Sequence, residues 1–301
     1  MKKKYHRLNL FLELYKNSQL PNCYLDVIHK NEKLLIDNIQ KSNPESFFCY
    51  SHNLSPNYLK YSINDNLYRL IKIKQSNKGY AIDLSKSSSL DSFMRDTMSK
   101  RFRKTVRQTI KRLESAYTIT YKMYLDDISK EDYDTLLDNL EYMLKVRFEQ
   151  KNIKNENLGK WPQIKQDFYT SLKNKKASIF VIYNNNTPID ISLNYLSNGI
   201  IFSWISSYDI KYFKSSLGVI DLYKHVEWCF NTNYEIIELG YGDHSYKKKW
   251  SNLIYNFEHH IVYKRHSTKS KLLAFCEFIK IKIKEFIKHS GLLKYLKNVK
   301  R

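Results

Sequence analysis

A chain of 301 residues that is 42% hydrophobic can bury a core of its own, which excludes a disordered or linker-like protein. No apolar run approaches the roughly 20 residues a membrane-spanning helix needs, and Cys23, Cys49, Cys229 and Cys276 are too scattered for a zinc site or a disulfide framework. The formal charge of +21 selects an anionic partner: a phosphate-rich cofactor, nucleic acid or an anionic membrane face.

The cysteine usage suits a reducing cytoplasm, the inner membrane face included. Met1-Lys2-Lys3-Lys4 is basic, but Glu13 interrupts the short apolar run from Leu8 to Leu14, so the start reads poorly as a signal peptide. Residues 1–90 are aromatic-rich, with strand-like pieces at Phe47 to Tyr50, Leu67 to Ile73 and Gly79 to Leu84. They read as an N-terminal lobe packed on the main domain, since no Pro/Gly/Ser-rich linker separates the two.

From Ser99 to Ser115 the residues Phe102, Val106, Ile110 and Leu113 form one helical stripe in a segment otherwise covered by Lys and Arg. That basic surface reads either as a solvated face or as one that attracts phosphate groups. A helix begins near Ser129, where Ser-x-x-Asp supplies a cap, and carries Tyr133, Leu136, Leu137, Leu140, Met143, Leu144 and Phe148 inward. Pro162 suits the first turn of the next helix. Ala177 to Tyr183, Ile189 to Leu196 and Ile200 to Ser206 are strands joined by Asn184-Asn185-Asn186 and Ser197-Asn198-Gly199, an antiparallel meander.

Ser215-Ser216-Leu217-Gly218 then opens a helix with Val219, Leu222, Tyr223, Val226 and Phe230 at helical spacing, and the strand Tyr234 to Leu239 follows. Strand, small-residue turn, helix, strand sets free backbone N–H groups and the positive end of a helix at the mouth of a sheet, a seat for phosphate. Beyond Trp250 the last strand, Tyr255 to Tyr263, holds His259 and His260 on opposite faces, where they cannot share one metal. No metal site is expected. The tail from Lys269 to Arg301 reads as a helix with Leu272, Cys276, Ile279, Ile283, Phe286 and Ile287 on one side and a break at Ser290-Gly291. Its ten Lys/Arg against two Glu leave two readings open: a helix lying on an anionic membrane surface, or one packed on the domain with its charges in water.

The stretch from Phe202 to Trp250 resembles the core of the GNAT acyltransferase superfamily, in the branch of cellulose-biosynthesis acetyltransferase-like and Fem-type proteins. Glu238-Leu239-Gly240-Tyr241-Gly242-Asp243-His244-Ser245-Tyr246-Lys247 followed by Trp250 is similar to that branch's acid, Gly-Asp and Tyr-Lys pattern, and Ser99 to Arg107 resembles its basic helix. Leu217 stands where a Pro is usual. The resemblance covers roughly residues 90–265 and implies an α+β GNAT fold: a mixed, mostly antiparallel sheet flanked by helices, with the N-terminal lobe (1–90) as a degenerate half and 266–301 as a basic helical tail.

It also implies acyl transfer from acetyl-CoA or another acyl-CoA, held by Ser215, Ser216, Leu217, Gly218 and Val219. Tyr246 is then the acid that protonates the departing thiolate, and Lys247 the group that stabilises negative charge. Glu238, beside apolar neighbours near its strand's end, is the candidate base or a carboxylate tied to a nearby donor. Asp243, Arg107, Trp204 and Trp250 are assigned to the acceptor side, with Asp243 doubling as a helix N-cap. By family, the acceptor is an amine or hydroxyl such as an amino sugar of a polysaccharide or cell-envelope precursor. Two alternatives remain: a Fem-type enzyme with aminoacyl-tRNA as donor, and a non-catalytic nucleic-acid or membrane-surface binder.

Overall fold

The structure is a computed structural model in which residues 3–29, 32–33, 38–40, 47–232 and 234–290 are described. The chain divides into two compact units: Met1–Tyr80 with Tyr241–Ser245 and Leu253–Arg301, and Ala81–Gly240 with Tyr246–Asn252. The first unit begins with β1 (Lys3–Asn9), which runs into α1 (Leu10–Tyr15), where the Asn9 side chain accepts the Leu12 N–H. β2 (Phe47–Pro56) lies parallel to β1. β3 (Tyr68–Asp83) is a single strand where the sequence suggests two. Its turn-like Ser76-Asn77-Lys78-Gly79 stays extended because the Ser76 N–H and hydroxyl are both accepted by Glu285, each at 2.8 Å.

In the second unit Ser129, the cap read from the sequence, accepts the Asp132 N–H to start α4 (Lys130–Gln150). Ser99 accepts the Phe102 N–H to start α3 (Lys100–Ala116); this cap, α2 (Leu90–Thr97) and β4 (Ile119–Tyr124) are additions. Then come α5 (Trp161–Lys173), with Pro162 in its first turn, β5 (Ala177–Asn184), β6 (Thr187–Ser197), β7 (Ile200–Tyr208), α6 (Leu217–Phe230) and β8 (Ile236–Tyr241). The sheet runs β8-β7-β6-β5-β4, antiparallel from β4 to β7 and parallel at β7–β8. Asn185 and Asn198, with Gly199, take the positive φ that the two hairpin turns require. β5 and β6 are buried along most of their length, between α6 with α3 on one side and α4 with α5 on the other.

After α7 (Ser245–Trp250) the chain returns to the first unit as β9 (Leu253–Lys264) and α8 (Thr268–His289). Residues 253–265, which the sequence groups with the main domain, therefore belong to the sheet β1-β2-β9-β3, because β9 pairs antiparallel with β2. His259 hydrogen-bonds Ser51, while His260 meets Tyr24 and Glu258, so the adjacent histidines serve separate buried networks.

α8 packs on this unit with an unexpected face. Ala274 and Ile281 are buried with Leu273 and Phe278 beside them, and Glu277 and Glu285 also turn inward. Glu277 accepts from Arg7 at 2.9 Å and Ser51 at 2.8 Å. Of the apolar stripe read from the sequence, Leu272, Cys276, Ile279, Ile283 and Phe286 are exposed and Ile287 is half-buried, and Phe275 is exposed beside them. Residues 291–301 of the predicted tail, Gly291 included, lie outside the described residues.

One glycine here is fixed by close approach. A Cβ on Gly79 would fall 2.1 Å from Cζ of the buried Tyr255 ring, so that something must shift to admit it. Gly79→Ala is expected to lower unfolding free energy by about 1–3 kcal/mol through overpacking, read as a reduced urea midpoint; an unchanged midpoint would mean that the ring has room to move.

Candidate active site

The site forms where two strands part. β7 and β8 pair in parallel at Ile200–Ile236, Ile201–Ile237 and Phe202–Glu238, and both strands continue past the last pair. Beside them opens a cavity of about 540 Å³, walled by Ser203, Ser206 and Tyr208 of β7, Leu239 of β8 and the first turn of α6. The Asp209 side chain accepts the Lys211 N–H to start a short 3-10 turn (Ile210–Ser215), and Ser216 then takes a left-handed conformation, φ 52° and ψ 44°. That kink aims α6 at the cavity, and no Ser216 side-chain hydrogen bond caps it. Ser216, Leu217, Gly218 and Val219 all line the space. A Cβ on Gly218 would meet nothing within 4 Å. An uncapped helix start with an open side is a good seat for phosphate oxygens, and Lys214 lines the same wall.

α7 supplies the opposite wall. Tyr246 and Trp250, four residues apart, share one helix face and both line the cavity. Trp250 is buried, edge-on to Phe102 of α3 at 5.8 Å, which locks α7 in place. Burial, with the Asp221 carboxylate second and Arg147 opposing, raises the Tyr246 pKa, so its hydroxyl keeps its proton well beyond neutral pH.

Lys247, the next residue, does not line this cavity. It is 5% exposed and donates from Nζ to the Leu239 carbonyl at 2.6 Å; burial lowers its pKa to about 8 despite the nearby Glu238. It thereby tethers α7 to β8 immediately behind a wall residue. Glu238 is fully buried and accepts the Gly240 N–H at 2.8 Å, holding the left-handed turn at Gly240. Ser215 ends the 3-10 turn and does not line the cavity, although Lys214 and Ser216 on either side of it do. Trp204 packs against Tyr195 and Phe168, and Arg107 pairs with Asp91 at 2.8 Å on the surface. Asp243 accepts the Tyr80 hydroxyl at 2.9 Å within the first unit. Of the residues named from sequence, Ser216, Leu217, Gly218, Val219, Tyr246 and Trp250 thus meet in one cavity.

The structure adds an acidic end that the motif gives no hint of. Asp190 of β6 and Asp221 of α6 both line the cavity, with Arg147 of α4. Asp221 accepts from Ser192 at 2.9 Å and faces His225 at 3.4 Å; burial pushes the His225 pKa down, but Asp221 more than offsets it and the net shift is upward. Asp190 is 2% exposed, and its Oδ1 has no hydrogen-bond partner among the described residues. Burial first, and the Asp221 charge second, raise its pKa strongly, with Arg147 opposing. The signal was present as period two and period four: Asp190, Ser192 and Asn194 share one strand face, Asp221 and His225 one helix face.

A carboxyl whose folded pKa lies above its unfolded value favours folding most below the unfolded value, near 4, and that contribution is lost as pH rises. Asp190→Asn should therefore melt about 2–4 °C above the parent at neutral pH, the gap closing towards pH 4. A mutant that melts lower at both pH values would show that Asp190 is satisfied in place.

Parallel strands that part beside an uncapped helix start, on an otherwise antiparallel sheet flanked by helices, define an acyl-transfer fold of the GNAT type. Residues 100–248 match the model of the Acetyltransferase (GNAT) domain, and over that span the chain belongs to this family. No protein of curated function matches it. Among solved structures, the chain is similar to a conserved protein of unknown function from Bacteroides thetaiotaomicron VPI-5482 (12% identity, 73% of this chain and 71% of that one, TM-score 0.48). It is also similar to L-PGS from Bacillus licheniformis (15%, 76% and 71%, 0.44) and to FemX (8%, 71% and 72%, 0.47).

Proposed function

We propose that the second unit is an acyl-CoA-dependent acyltransferase that acts on an amine or hydroxyl of a small polar acceptor, an amino sugar of an envelope precursor being the expected type. The observation that carries this reading is the cavity at the uncapped start of α6, with open space at Gly218 and Tyr246 on the facing wall. The first-turn amides and Lys214 hold the diphosphate, which aims the thioester along the cavity. The acceptor oxygen or nitrogen attacks the carbonyl carbon, the C–S bond breaks, and the thiolate takes the Tyr246 proton. The acceptor's own proton leaves to the Asp190–Asp221 end. Titration calorimetry with acetyl-CoA and longer acyl-CoAs tests the reading: micromolar binding of one of them is expected, and no heat from any of them overturns it.

A second reading keeps the chemistry and changes the donor. Lys100, Arg101, Lys104, Arg107, Lys111 and Arg112 are exposed along α3, a basic row that suits the backbone of an aminoacyl-tRNA. Salt-dependent retention of charged tRNA, with no coenzyme A binding, selects it. We also infer that α8 rests on an anionic membrane: its exposed stripe is flanked by Lys271 and Lys282 on one side and Lys269, Lys280 and Lys284 on the other, while both of its glutamates face inward. Among the described residues no helix is long and apolar enough to cross a membrane. Co-sedimentation with phosphatidylglycerol vesicles, lost on Phe275→Glu with Phe286→Glu, is the expected result; equal sedimentation of parent and variant overturns it.

A further inference from the structure

A second cavity, of about 540 Å³, lies wholly in the first unit, walled by α8 and by β1, β2, β3 and β9. It shares no lining residue with the α6 cavity, and its size falls in the range of small-ligand pockets, roughly 300–1,000 Å³. Two irregularities shape its strand side. Leu54 of β2 takes a left-handed φ of 56°, held by its N–H donating to the Gln75 side chain at 2.8 Å. The β2–β9 register also shifts between Glu258 and His260, at the residue that lines the cavity, His259. A plain sheet needs neither device, and both gather where a surface is shaped for a ligand.

The charges around it do not cancel. Arg7, Lys280, Lys284 and Lys288 line the space against Glu277 and Glu285. Both acids are already satisfied: Glu277 accepts from Arg7 at 2.9 Å and Ser51 at 2.8 Å, and Glu285 from Lys288 at 2.9 Å and from the Ser76 N–H and hydroxyl. Burial lowers the His259 pKa to about 4, so its ring adds no charge at neutral pH. Lys280 and Lys284 are left over. They stand one turn apart on α8, both line the cavity, and neither makes an ion pair among the described residues. Like charges at that spacing repel, and an anion held between them relieves the repulsion.

That imbalance sorts the ligand classes. A cation is repelled, and an apolar group leaves two ammonium groups without an acceptor. Each ammonium offers three donors, which suits the several oxygens of a phosphate better than the two of a carboxylate. The strands contribute a different chemistry: Asn9 of β1, Asn53 of β2 and Asn77 of β3 line the cavity with amides, which both donate to and accept from hydroxyl groups. We propose that this cavity binds a phosphate ester of a polyol, with Lys280 and Lys284 on the phosphate and the three asparagines on the hydroxyls, as a holding site apart from acyl transfer. The same two lysines flank the exposed stripe of α8, so the ester is either free in solution or the headgroup of a membrane lipid. The contacts at the lysines are the same in both cases.

The full chain is titrated calorimetrically at neutral pH with sn-glycerol 3-phosphate, inorganic phosphate and glycerol. Glycerol 3-phosphate is expected to bind and glycerol is not. Lys280→Ala with Lys284→Ala is expected to weaken that binding at least about tenfold, the worth of one charge-assisted hydrogen bond, while Gly218→Asp leaves it unchanged. Inorganic phosphate is expected to bind about fivefold more weakly than the ester, a gap worth one neutral hydrogen bond that Asn77→Leu closes. No binding of the ester overturns the proposal, as does binding that survives the loss of both lysines and disappears in Gly218→Asp. Both lysines are exposed, so the double variant is expected to melt with the parent. Should it not fold, protection of Lys280 and Lys284 of the parent from reductive methylation by glycerol 3-phosphate but not by glycerol supports the proposal equally, and no protection overturns it. Displacement of the bound ester by phosphatidylglycerol vesicles but not by phosphatidylcholine vesicles supports the proposal and assigns the phosphate to a lipid headgroup; displacement by neither supports it and assigns a free ester. Acylation of glycerol 3-phosphate from acetyl-CoA that is lost with the two lysines makes the cavity an acceptor site and overturns it.

Discussion

Gly218→Asp is expected to weaken coenzyme A binding by at least about 100-fold while leaving the fold as stable as before. The two halves of that expectation come from one piece of geometry. Gly218 is the second residue of α6, and a Cβ placed there meets nothing within 4 Å. An aspartate therefore fits without strain, and an acid in the first turn favours the helix by about 0.3–1 kcal/mol through the macrodipole. The same carboxylate would stand where the proposed reading seats the diphosphate. Two unit charges about 4 Å apart at a partly screened site repel by up to about 4 kcal/mol, and about 2.7 kcal/mol already makes 100-fold. Gly218→Ala is the control for bulk and should cost no more than about threefold. If Ala and Asp weaken binding equally, shape and not charge governs the seat. If neither weakens it, the diphosphate is not at this helix. Calorimetric titration, with urea unfolding of each variant, reads both halves.

The order of elements around the proposed seat was legible in advance, and the full set of residues lining the cavity was not. The order of β5, β6 and β7 could be read because its turns carry chemistry that only turns need: Asn185, Asn198 and Gly199 adopt positive φ. Local rules held there because the local and tertiary demands agree. They failed in β3, where the Ser76 to Gly79 stretch has turn composition but is drawn straight by Glu285 and by the Tyr255 ring, partners about 180 to 210 positions away. The site divides the same way. Tyr246 and Trp250 follow from helical spacing once α7 is placed. Which member of Lys247-Lys248-Lys249 turns inward depends on the Leu239 carbonyl that receives it, and nothing in a run of three lysines marks the first. Asp190 was hidden differently: one acid within Ile189-Asp190-Ile191 looks like an exposed strand residue until α6 covers that face with Asp221 and His225.

Tyr246→Phe is expected to reduce kcat with acetyl-CoA by about 100-fold or more, within the range that loss of a positioned acid produces, with coenzyme A affinity changed by less than about twofold. Burial and the neighbouring Asp221 charge raise the Tyr246 pKa against the pull of Arg147, so the hydroxyl stays protonated through the neutral range and is always available to donate. In the proposed reaction it gives that proton up only as the C–S bond breaks and basic thiolate character appears at sulfur. The interaction is therefore worth little to the bound thioester and much to its transition state, which places the loss in kcat and not in KM. The decisive comparison varies the leaving group. An alkyl thiol, with a pKa near 8.5, departs badly without an acid, whereas an aryl thiol departs readily as its anion. Against an aryl thioester of the same acyl group, Tyr246→Phe should then cost less than about tenfold. An equal fall for both donors would mean that the ring, already a wall beside Trp250, shapes the cavity and that the proton reaches sulfur from elsewhere.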